Sequence, residues 1–234
     1  MSEAISTIVS DSVLCINSLY NHAACILGVS DNEIDAMERV DWKWNSDGGI
    51  VQKIRITPTL DTIIYEQFEK YYNDAKWMSS DASINKVLQK LNDDIFVCDC
   101  GGEWNNEIQR SILLIATDVI IPVGIGKGSY SGALNIAELI KRNTNLNNVW
   151  LLFATGFPSN TTIFNLIFKE WQDTIKKINE MLAVPCQSFS TIIPKNCNMG
   201  ALPPSKRFFH WSKTKNVSAA YISVANELMG DKDI

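Results

Sequence analysis

From residue 95 onward, short and nearly continuous apolar runs alternate with longer stretches whose apolar residues recur at helical spacing, and few folds accept that order. The runs at 95–98, 119–123, 148–154 and 187–193 have strand length, and amphipathic helices are expected at about 105–116, 130–142, 160–182 and 216–229. A strand that is apolar along its whole length has no face to give to water. It belongs in a parallel sheet covered by helices on both faces, which makes this an α/β fold with a mostly parallel central sheet. Ligands of such sheets sit at the carboxyl ends of the strands, so the loops after Val9, Cys98, Val123 and Ala154 are expected to share one edge.

The first third is less regular. The β-branched run at 5–9 reads as a strand, followed by a loop from Ser10 to about Asn17, with apolar residues at helical spacing from Cys15 to Leu27. Residues 38–44 and 50–56 read as strands around the turn Asn45-Ser46-Asp47-Gly48-Gly49, and 61–72 and 83–91 as helices. With 234 residues, 46% of them hydrophobic, the chain can bury one substantial core, and 1–234 is expected to form a single domain.

A formal net charge of −5 argues against nucleic-acid binding over the whole surface and leaves room for a local basic patch. The start, MSEAISTIVS, lacks a basic region followed by an apolar one, and no run approaches about eighteen apolar residues, so a cytoplasmic protein without a membrane span is expected. The cysteines at 15, 25, 98, 100, 186 and 197 form no CxxC pair, and with only His22 and His210 beside them no metal site is expected. Cys98 and Cys100 read as small buried residues of a reducing compartment, pointing in opposite or offset directions. GxSxG and GxGxxG are both absent.

Three motifs follow one another: Asp99-Cys100-Gly101-Gly102 after an apolar strand, Ala116-Thr117-Asp118-Val119-Ile120-Ile121-Pro122, and Thr191-Ile192-Ile193-Pro194. In order and spacing they resemble the ParA/MinD family of deviant-Walker P-loop ATPases, whose strand ending in DTPG or DGAG is followed by AD-x-hydrophobic-hydrophobic-P and then by a strand ending in IP. The resemblance spans about 100 residues and implies a P-loop NTPase-like fold. It puts Asp99 where the family's aspartate orients magnesium or water, and Asp99, Cys100, Gly101 and Gly102 in a switch-like loop. From its position alone, Asp99 reads equally as a helix cap or turn residue.

The family's phosphate loop, KGGVGKTT, would follow the first strand, where the resemblance aligns Asp11, Ser12, Val13, Leu14, Cys15, Ile16, Asn17 and Ser18. Asp11 then replaces the lysine that reaches across a dimer, Ser12, Val13 and Cys15 replace glycines, and Ile16 replaces the lysine that neutralises phosphate. A phosphate cradle needs inward backbone N–H groups and a lysine charge, and only Asn17 and Ser18 keep a polar contact. The resemblance therefore implies a pseudo-ATPase needing no cofactor, which dimerises with itself or with a ParA-like relative as a scaffold or regulator in DNA partition, conjugative transfer or subcellular positioning. Its alternatives are a diverged ATPase that still binds ATP and magnesium through Asp99, and a DNA-binding adaptor.

Two other groups of residues carry charge in a useful pattern. Lys127, in Gly124-Ile125-Gly126-Lys127-Gly128-Ser129, opens an expected helix and reads either as an anion contact or as part of a glycine-rich turn. Lys195, Lys206, Arg207, Lys213 and Lys215 accompany Phe208, Phe209, His210 and Trp211 without an acidic residue among them, and read as a DNA or partner surface or as a solvated loop with buried aromatic anchors.

Overall fold

In a computed structural model the chain is described at residues 4–5, 13–17, 39–43, 50–57, 60–64, 68–69, 72–73, 83–91, 94–100, 107–157, 160–195 and 215–230. The strands are β1 (Val13–Asn17), β2 (Arg39–Lys43), β3 (Ile50–Thr57), β4 (Leu60–Ile64), β5 (Ile95–Asp99), β6 (Asp118–Val123), β7 (Asn148–Thr155), β8 (Cys186–Ser188) and β9 (Ile193–Pro194). The helices are α1 (Ile84–Leu91), α2 (Glu107–Leu113), α3 (Lys127–Ile140), α4 (Thr162–Met181) and α5 (Lys215–Met229). The strands form two sheets, the first mixed and the second parallel throughout, with helices against them, an α/β arrangement as expected.

The first sheet has the order β2-β3-β4-β1-β5. β1 lies in parallel register with β4 on one side and β5 on the other, while β2, β3 and β4 join antiparallel. This corrects the reading of the amino-terminal region. Val13, Leu14, Cys15, Ile16 and Asn17, expected in a phosphate loop, are the strand itself, and Ile5, expected in a strand, lies in a helical turn with Ala4. The reason is lateral pairing: VLCIN has a strand on each side, and it buries Val13, Cys15 and Ile16. Asp11, Ser12 and Ser18 lie outside the described residues. Leu60–Ile64, expected in a helix, is likewise a strand because it pairs with both β1 and β3, whereas 68–69 and 72–73 are helical.

The core of this sheet joins Ile16 to Phe68, Tyr72, Ile84, Val87, Leu88 and Leu91, and α2 adds Ile108 and Ile112. At its carboxyl end α2 turns to the second sheet, against which Leu113 and Ala116 pack. Asn143, buried just past α3, donates hydrogen bonds to the carbonyls of Leu113 and Ala116, both at 2.8 Å, and accepts one from the Asn145 N–H. It satisfies the carbonyls that the end of α2 leaves open, and so ties that helix end to the α3–β7 connection.

In the second sheet β7 pairs with β6 along one edge and with β8 and then β9 along the other, all parallel. Its alternate residues serve opposite faces. Val149, Leu151 and Phe153 enter a core with α3 and α4, and Trp150 and Leu152 enter one with α5, through Val217 and Val224. Phe153 stacks on the fully buried Trp171 of α4 at a centroid distance of 4.0 Å. Burying residues of this size contributes roughly 1.5–3 kcal/mol each.

The strand expected at 187–193 is divided, and the register explains how. Leu151 faces Ser188, yet Ala154, three residues on, faces Ile193, five residues on. The two extra residues leave the ladder between β8 and β9, and the Glu227 carboxylate of α5 takes over. It accepts hydrogen bonds from the Ser190 N–H at 2.7 Å, the Ser190 hydroxyl at 2.8 Å, the Thr191 N–H at 3.2 Å and the Thr191 hydroxyl at 2.9 Å. Burial pushes the Glu227 carboxyl up, but the bonds from Ser190 and Thr191 outweigh it and hold the group below its ordinary 4.5. Because the folded-state value is depressed, the contribution is present above the unfolded value and is lost as pH falls through the folded one. Glu227→Gln is expected to cost about 1–2 kcal/mol in urea unfolding at about pH 7, with the gap from the parent protein closing below about pH 4. A gap unchanged by acid would show that the carboxylate charge contributes nothing.

Candidate functional site

Asp99 ends β5 and is exposed, and the parallel register sets it level with Asn17 at the end of β1, which in turn is level with Ile64 at the end of β4. Three strands thus finish together, with an aspartate on one of them, and the chain leaving β1 starts at Ser18. The connection after β1 therefore begins seven residues later than the sequence alignment at Asp11 places it. Gly101 and Gly102 of the switch-like motif lie outside the described residues.

Cys98 and Cys100 flank this aspartate, and the structure corrects their expected geometry. Residues two apart on a strand point to the same side, and Phe96, Cys98 and Cys100 all pack against the core of the first sheet. Burial, then the neighbouring Cys100, Cys15 and Asp99, push the Cys98 thiol well up. Burial and Asp99 push Cys100 up to about 11. Burial alone pushes Cys186 of β8 up to about 12. Thiols held this far toward the protonated form are poor nucleophiles and poor metal ligands. Among the described residues no group of three or more metal-binding side chains comes together.

The second motif places its aspartate at the other end of a strand. Asp118 opens β6 and accepts hydrogen bonds from the Asn148 amide at 3.0 Å and the Trp150 indole at 3.3 Å, joining β6 to β7 at their amino ends. Its role is structural. The third motif closes β9: Pro194 pairs with Thr155, and the Lys195 N–H bonds the Thr155 carbonyl at 3.0 Å. The Lys195 stem lies across Gly156, where an added Cβ would meet its Cβ and Cδ at 3.4 Å. Lys195 is exposed at the carboxyl end of the sheet, and Lys215 is the exposed first residue of α5. Lys206, Arg207 and Lys213 lie outside the described residues, as do Phe208, Phe209, His210 and Trp211.

Lys127 is the first residue of α3 and is exposed. Gly126 before it has φ of +119°, a conformation that a side chain would strain, which is why a glycine-rich turn stands here. No side chain caps this helix and no acidic residue occupies its first turn, so its positive end is uncompensated. Sequence reasoning missed the neighbouring feature. Ile125, Phe157, Ile163, Leu166 and Phe168 are large, apolar and exposed, all in or just before the segments that follow the carboxyl ends of β6 and β7.

No protein-family model matches the sequence, and no curated protein matches it. Solved structures do. A ParA family ATPase from Chlorobium tepidum TLS shares the fold with a TM-score of 0.55 over 97% of this chain and 89% of that one, at 13% identity. The MinD-containing MinC:MinD cell division protein complex from Aquifex aeolicus gives a match with a TM-score of 0.52 over 100% of this chain and 88% of the matched chain, at 16% identity. The chain shares its α/β fold with these ParA and MinD structures. Among the described residues no helix is long and apolar enough to cross a membrane.

Burial makes the four described thiols a test of the site's packing. In a Cys25→Ser/Cys197→Ser variant, Cys15, Cys98, Cys100 and Cys186 are expected to react with Ellman's reagent at about pH 8 at least about a hundredfold more slowly folded than in urea. Rapid reaction of two thiols in the folded protein would mean that the end of β5 is open.

Proposed function

We propose that this chain is a nucleotide-independent relative of the ParA and MinD ATPases, acting as a dimerising scaffold or regulatory module in DNA partition, conjugative transfer or subcellular positioning. The observation that carries this reading is chemical. The first lysine of the chain is Lys43, and before it there is one glycine, Gly28. Wherever the loop after β1 begins, the amino-terminal 42 residues offer no lysine for a triphosphate, and the stretch at 18–27, Ser-Leu-Tyr-Asn-His-Ala-Ala-Cys-Ile-Leu, offers no glycine to turn backbone N–H groups inward.

Each charge-assisted hydrogen bond lost from such a site forgoes roughly 1.5–3 kcal/mol, and the family loop supplies several. Asp99 alone, at the end of β5, would repel a triphosphate rather than hold it. The MinD neighbour is in a complex with MinC, which supports a role exerted through a protein partner.

Titration with a fluorescent ATP analogue and magnesium, with ADP as competitor, is expected to give no saturable binding up to about 1 mM, and Asp99→Asn should change nothing. Saturable binding in the micromolar range, weakened by Asp99→Asn, would overturn the proposal in favour of a diverged ATPase.

A further inference from the structure

A buried donor without an acceptor lies under the turn Gly124-Ile125-Gly126-Lys127-Gly128-Ser129, which joins β6 to α3. Val123, the last residue of β6, pairs with Phe153, on which the Trp171 indole stacks. The indole is therefore level with the strand end from which the turn springs. Its N–H is wholly buried and, among the described residues, is the one buried side-chain polar atom with no hydrogen-bond partner. Folded proteins leave few such donors, and each points to an acceptor that completes it. The Tyr130 hydroxyl, in the first turn of α3, lies near this N–H but outside bonding geometry, and also against the Gly126 backbone and beside Glu170.

Around that hydroxyl the turn collects further donors. The Ser129 and Tyr130 N–H groups bond the Gly126 carbonyl at 3.1 and 3.5 Å, which closes the first turn of α3. The Lys127 and Gly128 N–H groups before them have no intrahelical acceptor, and no side chain caps the helix. The Ser129 Oγ stands over Gly124, 3.4 Å from where a Cβ would sit there, so its hydroxyl is at the turn as well. Lys127 is exposed and enters no ion pair among the described residues. Against these donors stands one acceptor, the exposed Glu170 carboxylate beside Tyr130.

We propose that this turn binds hydrogenphosphate. The Lys127 ammonium, the Lys127 and Gly128 N–H groups and the Ser129 hydroxyl hold its oxygens. The Tyr130 hydroxyl donates to it, and the Tyr130 oxygen then accepts the Trp171 N–H. The bound anion thus orients the hydroxyl that gives the buried indole its partner. Glu170 decides which oxyanion fits. An ionised carboxylate only accepts, so it repels an anion unless that anion carries a proton to donate. Hydrogenphosphate carries one at about pH 7.5, sulfate carries none, and a phosphate monoester, with a second pKa of about 6, has mostly lost its own. The site belongs to the second sheet, apart from the strand ends of β1 and β5, and stands whether or not the chain binds nucleotide.

Trp171 supplies the readout. In the full chain labelled with nitrogen-15 tryptophan, one of the seven indole N–H signals, identified by its loss in Trp171→Phe, is expected to move with inorganic phosphate and saturate with a Kd of about 1 mM. At constant ionic strength and about pH 7.5, sulfate and glycerol phosphate should bind at least about tenfold more weakly. Lys127→Ala should weaken phosphate about tenfold, and Tyr130→Phe should abolish the movement of the indole signal. Glu170→Gln should bring sulfate to within about threefold of phosphate, a change of preference that damage to the fold cannot produce. Far-UV circular dichroism checks that each variant remains folded. A Trp171 signal that ignores phosphate up to about 50 mM, moves equally with sulfate in the parent chain, or responds undiminished in Lys127→Ala overturns the proposal.

Discussion

The strand Asn148–Thr155 uses both of its edges and both of its faces, and the carboxyl-terminal half of the molecule is arranged around it. Its edges hold β6 on one side and β8 with β9 on the other. Its faces carry two separate cores, one closed by α3 and α4 around Trp171, the other by α5. Because side chains alternate along a strand, a slip of one residue would exchange Leu151 and Phe153 for Trp150 and Leu152 and spoil both cores together. That double requirement sets the level of Trp171 against Phe153.

Polar groups complete what apolar burial begins. Asn143 holds the end of α2, Asn179 of α4 exchanges hydrogen bonds with both backbone groups of Cys186 at 2.8 and 2.9 Å, and Glu227 receives the bulged Ser190 and Thr191. Each meets backbone groups that an element ending or bulging would leave unsatisfied, and such groups cost about 1–3 kcal/mol when buried alone. The Asn143 and Asn179 contacts lie at the amino ends of β6, β7 and β8, and Glu227 holds the bulge between β8 and β9.

The first sheet brings three strand ends together. β4, β1 and β5 finish level beside Asp99, and the amino-terminal 42 residues hold no lysine and one glycine. The exposed apolar residues Ile125, Ile163 and Leu166 lie beyond the carboxyl ends of β6 and β7 in the second sheet.

From residue 95 onward the elements were legible in the sequence, because continuous apolar strands and amphipathic helices have different periods and each run was long enough to show its own. The alternation also carried the α/β class and the motif order. The amino-terminal strand was not legible: ISTIV and VLCIN are both apolar and β-branched, and only pairing with Leu60–Ile64 and Ile95–Asp99 decided for the second. Asp118 looked like part of a ligand motif until its partners Asn148 and Trp150 showed it joining two strands. The exposure of Ile163 and Leu166 was not legible, because periodicity reports which face of a helix is apolar and says nothing of where its neighbour stops. Sequence alone determined the order of elements from residue 95 onward, a property of local composition. Tertiary structure alone decided which amino-terminal segment pairs between β4 and β5 and which apolar residues stay uncovered, because both depend on contacts between segments far apart in the chain.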